Sequence, residues 1–483
     1  MKRASGVLLH ISSLPGQYGE GSFGKEAKEF VDFLSDCGFS YWQTLPFCMP
    51  DEYNSPYKSF SAFSGNINFI DLPTLKAQGL ITEDELKAQR QSSPYVCEFA
   101  DLSVKRMPVL AAAARRAYED ASLTGKILSF VEKNEHIDLF CRFMTKKAAN
   151  GNKPWSEWHA AQDSDAESDE YFTWAFTQYT FFTQWMEIKK YANGKGVHII
   201  GDIPFYVDYD SSDVWAEPEL FQLDARKRPE FVAGVPPDYF SEDGQMWGNP
   251  LYNWDVMKDS DYSWWRARMR HMLTMFDGVR IDHFRGLEAY FSIPADAKSA
   301  KEGHWEKGPD KDFIDSIKHV CGDKLIIAED LGDITDEVRA LVEYSGFPGM
   351  GVLQFAFIGD LNSPHLPHNY ANNTVAYTGT HDNNTLLGHV WELDPDTRKR
   401  LFRYCGYSGD DLDNCYDAIL RTMFASHAGL LIMPIQDLLQ YGEDTRMNRP
   451  GLENGNWGYR VTRDQLDSID RSKFRYWNEL YGR

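Results

Sequence analysis

"GVRIDHFRG", residues 278–286, reads as a buried β-strand into which two opposite charges have been set. A charge taken out of water without a partner costs on the order of several kcal/mol or more, so the pair calls for a reason. Side chains alternate faces along a strand, which puts Arg280 and Asp282 on one face and Val279 and Ile281 on the other. The apolar pair would pack outward against helices while Arg280 and Asp282 point side by side into the top of a barrel. The cation favours the ionised form of Asp282 and lowers its pKa. A carboxylate held ionised can act as a nucleophile. An ion pair that only fixes the strand is the equally simple alternative.

Seven other runs share this form, β-branched or apolar residues ending in polar ones. They are "GVLLHISS" (6–13), "SYWQTLPF" (40–47), "GVHIIGDIPFYV" (196–207), "KLIIAEDLG" (324–332), "GVLQFAF" (351–357), "TVAYTGTHD" (374–382) and "LLIMPIQDLL" (430–439). Near-continuous apolar character is what parallel strands covered on both faces require. Eight such runs, several preceded by helical pattern, predict an α/β fold, a (β/α)8 TIM barrel with helical insertions, in which residues 1–483 form one catalytic barrel. "GKEAKEFVDFLSDCGF" (24–39) is a crossover helix with Ala27, Phe30, Val31 and Leu34 on one face and Gly38 at its end. The sixth and seventh runs leave room for only a short crossover.

Two spacings exceed a simple crossover. Residues 73–195, between runs two and three, carry helix-period segments and are expected to form a mostly helical insertion. Residues 208–277, between runs three and four, hold "GVPPDYFSEDGQMWGNPLY" (234–252), dense enough in Pro, Gly, Asp and Asn to predict an ordered surface loop.

Composition excludes several functions. A net charge of −22 leaves no basic footprint for nucleic acid or an anionic membrane surface. No apolar run reaches membrane-spanning length, and "VLLHI" near the N-terminus is too short for a signal core. Seven scattered cysteines without CxxC spacing point away from disulfides and zinc and toward a reducing cytoplasm.

Active barrels of this kind carry their chemistry at the C-terminal ends of the strands. In "LIIAEDLG" Glu329 shares a face with Leu325 and Ile327, a weakly polar setting that raises a carboxylic acid's pKa. Asp330 should point outward, where it suits a helix N-cap. "TGTHDNNT" (378–385) ends another strand with His381, Asp382 and Asn383, a cluster that is either functional or an Asx-rich turn. Three carboxylates from three strand ends, one beside an arginine, form the set expected for retaining glycoside chemistry. There one carboxylate attacks the anomeric carbon and a second protonates the leaving oxygen. Metal binding would use similar residues, but the usual ligand spacings are missing and no metal or other cofactor is expected. Trp and Tyr in polar loops offer flat faces to sugars. Trp247 is either such a platform or a buried loop anchor, whereas Trp264 and Trp265 fall in a helical stretch and read as core.

Taken together and in order, "SPYKSFSAFSGN" (55–66), "GDIPFYV" (201–207), "GVPPDYFSEDGQMWGNPLYNW" (234–254), "RIDHFRG", "IAEDLG" and "GTHDN" resemble the amylomaltases, or 4-α-glucanotransferases, relatives of the α-amylase group. The likeness runs from "ISSLPG" (11–16) to "NRPG" and "NWGYR", in the compact form of the family. It implies that Asp282 is the nucleophile, Glu329 the acid/base and Asp382 the carboxylate that binds and distorts the sugar. Arg280 and His381 would line the same subsite, with Asn383 beside them, Tyr57 stacked under the sugar and Asp202 at the end of the third strand. Asp238, Gln245 and Trp247 match a loop that folds over the glucan. The implied partners are α-1,4-glucans and maltooligosaccharides. An amylase-type hydrolase uses the same carboxylates, and a non-catalytic glucan binder could keep the cleft, although binding alone does not need an acid and a nucleophile together.

Overall fold

The structure is a computed structural model that describes residues 1–483 except 51–52, 159–167, 238–241, 359–361, 410 and 453. Eight parallel strands are built from the eight apolar runs: β1 (Ala4–Leu8), β2 (Tyr41–Gln43), β3 (His198–Ile203), β4 (Gly278–Ile281), β5 (Leu325–Ala328), β6 (Gly349–Val352), β7 (Thr374–Tyr377) and β8 (Leu430–Pro434). They lie side by side as β6-β7-β8-β1-β2-β3-β4-β5. The two ends of that ladder meet, because the Ala328 N–H donates to the Pro348 carbonyl at 2.9 Å and the Met350 N–H to Asp330 Oδ1 at 2.7 Å. The sheet is therefore a (β/α)8 barrel.

β4, β5 and β7 stop where their runs turn polar, at Asp282, Glu329 and Thr378, and all eight strands are shorter than the runs that predict them. β6 departs most. It begins at Gly349 rather than 351, and a 3-10 turn over Leu353–Phe355 follows it. A Cβ on Gly351 would lie 2.4 Å from the Tyr370 ring, so glycine is what lets that ring close over the strand. Among the described residues, 3-10 turns but no α-helix join β6 to β7.

The first crossover helix, Lys25–Cys37, buries Ala27, Phe30, Val31 and Leu34 and ends at Gly38 with φ 79°, in the left-handed region that glycine enters freely. Between β2 and β3 lie helices Leu72–Ala77, Glu83–Ala88, Phe99–Tyr118, Ala121–Glu132, Glu135–Ala149 and Asp169–Gly194. The last leads straight into β3 and anchors Trp185 Nε1 on the Met275 carbonyl at 2.9 Å, so it serves as a crossover helix of the barrel itself. Trp264 and Trp265 are buried, with the Arg268 guanidinium over both rings.

The segment expected to be a surface loop is structured differently. Phe231–Val235 and Gln245–Pro250 form an antiparallel pair. Two strands from beyond β4, Ala289–Pro294 and His304–Lys307, extend it to a four-stranded sheet. Pro and Gly density hid this sheet, since its pairing is long-range and leaves only short local runs. All seven cysteines are free. No helix among the described residues is long and apolar enough to cross a membrane.

Candidate active site

Register begins the site by bringing Asp202 and Arg280 together. Asp202 of β3 pairs with Arg280 of β4, so both side chains face the barrel interior at the same height. Arg280 Nε donates to both carboxylate oxygens of Asp202, at 3.1 and 3.0 Å, and its Nη2 reaches Asp282 Oδ1 at 2.7 Å. The Tyr57 hydroxyl donates to Asp202 Oδ2 at 2.7 Å and lies 3.3 Å from Arg280 Nη2. A buried cation costs on the order of several kcal/mol or more to desolvate, and sharing it between two carboxylates offsets part of that cost. Asp202 is fully buried, whereas the Asp282 side chain keeps 30% of its surface open toward the cleft.

The charge balance around Asp282 is the reverse of the sequence expectation. Burial pushes its carboxyl up to about 6; Arg280 pulls the other way, and Asp202 and Asp382 add to the rise. Considering Arg280 alone predicts a drop, because that leaves out both the desolvation and the two neighbouring anions. Glu329, the first residue past β5, is pushed further, up to about 8, by burial and then by Asp282. Its Oε2 accepts from the His283 N–H at 2.7 Å, and Oε1 lies 3.2 Å from the Leu331 N–H. Asp330 does not cap a helix. It turns toward β6 and accepts from Met350, while Thr335 caps the helix that follows.

Across the rim, Asp382 follows β7 in a polar nest. Burial alone would raise its carboxyl, but His381 beside it, with Asn448 and Arg280, holds it well below the usual carboxylate range. His381 Nε2 is 3.2 Å from Asp382 Oδ2, Asn448 Nδ2 donates to Oδ1 at 2.6 Å, and Arg446 Nη2 donates to the Asp382 carbonyl at 2.6 Å. Tyr57 stacks on His381, with centroids 5.2 Å apart and planes 14° off parallel, and Trp457 tilts against both rings. Asn383 is adjacent, but its Oδ1 closes the turn by accepting from the N–H and hydroxyl of Thr380, each at 2.9 Å.

Gln245 and Trp247 lie on the antiparallel sheet, with Trp247 Nε1 donating to Gln245 Oε1 at 3.2 Å. The Trp247 ring meets the His283 ring edge-on at 5.0 Å, which sets it beside the turn after Asp282. Asp238 lies outside the described residues. The structure thus brings Tyr57, Asp202, Arg280, Asp282, Glu329, His381 and Asp382 to one end of the barrel. Sequence reasoning missed His283, Arg446, Asn448 and Trp457. The last two stand in "NRPG" and "NWGYR", whose presence was legible but whose position at the rim was not.

Clustered carboxyls at strand ends, two sharing an arginine and one, Glu329, made hardest to ionise, fit a class: a (β/α)8 enzyme equipped to act on glycosidic bonds. The family model described as 4-alpha-glucanotransferase (glycoside hydrolase family 77) matches residues 9–466. The 4-alpha-glucanotransferase of Streptococcus pneumoniae serotype 4 is 44% identical over 481 residues, 96% of this chain and 94% of that protein. That of Thermus thermophilus is 41% identical over 493 residues, 98% of each. The amylomaltase of Streptococcus agalactiae, solved in complex with acarbose, superposes with a TM-score of 0.95 at 39% identity over 100% of both chains. The chain belongs to the 4-alpha-glucanotransferase family. It is a transferase, as the resemblance of its motifs predicts.

Proposed function

We propose that this chain moves α-1,4-glucan segments from a donor maltooligosaccharide to the 4-hydroxyl of a glucose or maltooligosaccharide acceptor by double displacement. Arg280 holds Oδ1 of Asp282, leaving the other oxygen to attack the anomeric carbon as the glycosidic bond breaks. Glu329, protonated at neutral pH, gives its proton to the departing oxygen. The acceptor hydroxyl then attacks the covalent β-glycosyl-enzyme, Glu329 takes its proton, and Asp282 is released. Two inversions give net retention. Asp382 stays ionised and accepts sugar hydroxyls beside His381, with Tyr57 and Trp457 as apolar faces. Gln245 and Trp247 dock the acceptor, whose effective concentration exceeds that of water at the intermediate. A cytoplasmic location suits the seven free thiols.

The observation that carries this reading is the divided environment of the carboxyls, two pushed up and one held down within one cluster. Incubation with maltotriose tests it. The wild type should give glucose and a ladder of shorter and longer oligosaccharides, and Asp282→Asn should lose the ladder by about four orders of magnitude. Only shorter products would make the chain a hydrolase. A ladder persisting in the variant would remove Asp282 from the nucleophile's place.

A further inference from the structure

His283 has no role in the reaction described so far, yet its backbone is unusual. It sits in the left-handed region, with φ 49° and ψ 45°, which non-glycine residues rarely enter. That twist turns the peptide after Asp282 so that the His283 N–H points across to Glu329 Oε2 at 2.7 Å. The turn is fastened on both sides. The Phe284 N–H donates to the Glu329 carbonyl at 3.1 Å, and the Gly286 N–H donates to the His283 carbonyl at 2.9 Å. Burial, with Arg285 nearby, pushes the imidazole down to about 3, so the ring is neutral and its edge-on packing on Trp247 is separate from the backbone contact.

We propose that His283 is a positioning residue for the acid/base: its left-handed backbone keeps one N–H donor fixed on Glu329, so that the carboxyl can shed its proton in one half of the cycle and regain it in the other. This rests on Glu329 being the acid/base. A donor aimed at the ionised form stabilises that form, so removing it raises the pKa of Glu329. The other charged groups that act on Glu329 are Asp282 and Arg280 from the end of β4, Arg285 from the turn, and Asp330 next in the chain. Substitution at 283 leaves all of them in place.

The experiment is kcat/KM for maltotriose disproportionation against pH in His283→Gly, His283→Asn and His283→Val. Glycine and asparagine accept the left-handed conformation, and both should keep the alkaline limb of the wild type, although losing the ring raises the KM for acceptor. Valine resists that conformation. Its limb should move up by about one pH unit, with the rate at neutral pH down about tenfold as Glu329 holds its proton when it must act as base. Coincident limbs in the valine and glycine proteins would overturn the proposal. Should valine prevent folding, as judged by circular dichroism, His283→Ala must shift the limb the same way by a smaller step, and no shift overturns the proposal equally. Glu329→Gln, assayed beside them, should lose maltotriose turnover while still reacting with a maltosyl fluoride, whose leaving group needs no acid. If it instead keeps turnover and limb, the assignment of Glu329 falls and this proposal with it. An unmoved valine limb with Glu329→Gln behaving as expected rejects His283 alone.

Discussion

The two sides of the barrel rim hold the same kind of group in opposite states. At the ends of β4 and β5, Asp282 and Glu329 are partly withdrawn from solvent and the charge of Asp282 acts on Glu329, with one cation between Asp282 and Asp202, and both carboxyls rise. At the end of β7, Asp382 is more open, 43% exposed against 30% for Asp282, and is ringed by donors, so its carboxyl falls. Strand-end position is common to all three. Burial raises all three; nearby anions add to that rise at Asp282 and Glu329, whereas at Asp382 His381, Asn448 and Arg280 outweigh it, and that balance decides which group can carry a proton and which stays charged.

If donors keep Asp382 ionised, removing one should weaken that side alone. Asn448→Ala takes away the 2.6 Å contact to Oδ1 and should lower kcat/KM by up to about a hundredfold, a loss on the scale of a missing hydrogen bond to a charged group. Asn448→Asp would place an anion there and should be worse still. Steady-state kinetics on maltotriose decides it. A variant with near-native kcat/KM would mean that His381 suffices and that the nest around Asp382 is structural.

The other side is sharpened by pH. Double displacement as proposed needs Asp282 ionised and Glu329 protonated for the first half-reaction. Both carboxyls are raised, so kcat/KM should climb as Asp282 loses its proton near pH 6 and fall as Glu329 loses its proton near pH 8, by up to about tenfold per unit on each limb. The limbs belong to the pair rather than to either residue, since each carboxyl's charge acts on the other. A profile flat from pH 5 to 9 would break the comparison, because it would place both groups in ordinary environments. Asp382 is charged throughout that range and should contribute no limb.

The β4 and β5 side was the more legible in sequence. Alternation along "GVRIDHF" places Arg280 and Asp282 on one face without any tertiary knowledge, and the apolar run before Glu329 already implies a raised carboxyl. What alternation does not carry is the sum of distant charges. Asp202 and Asp382 arrive from other strands, and with burial they reverse the direction that Arg280 alone would give. The β7 side was harder to read because Asn448 and Arg446 come to it from the chain after β8. Asn448 and Trp457 stand in irregular loops with no period to mark them, and Trp457 itself has a positive φ of 66°. The second sheet was hidden for a related reason: its central strands, Phe231–Val235 and Ala289–Pro294, lie far apart in sequence, with β4 between them.

That sheet supplies the smallest of the expected effects and the one that most directly probes transfer against hydrolysis. Among the described residues Trp247 makes no hydrogen bond to any of the three carboxyls. Its ring packs on His283 and Tyr206, and its Nε1 is tied to Gln245. In the proposed mechanism a side chain so placed acts on whichever molecule approaches the glycosyl-enzyme, not on the bond that forms it. Trp247→Ala should therefore leave formation of the intermediate within about threefold of the wild type, since the barrier of that step depends on groups at the anomeric centre. It should raise the KM for acceptor several-fold and shift part of the flux to water, because an emptied apolar contact no longer favours a sugar over solvent. The ratio of free glucose to elongated products from maltotriose reads this directly. An unchanged ratio would mean that Trp247 only anchors its strand and that acceptor selection lies with other residues of the rim.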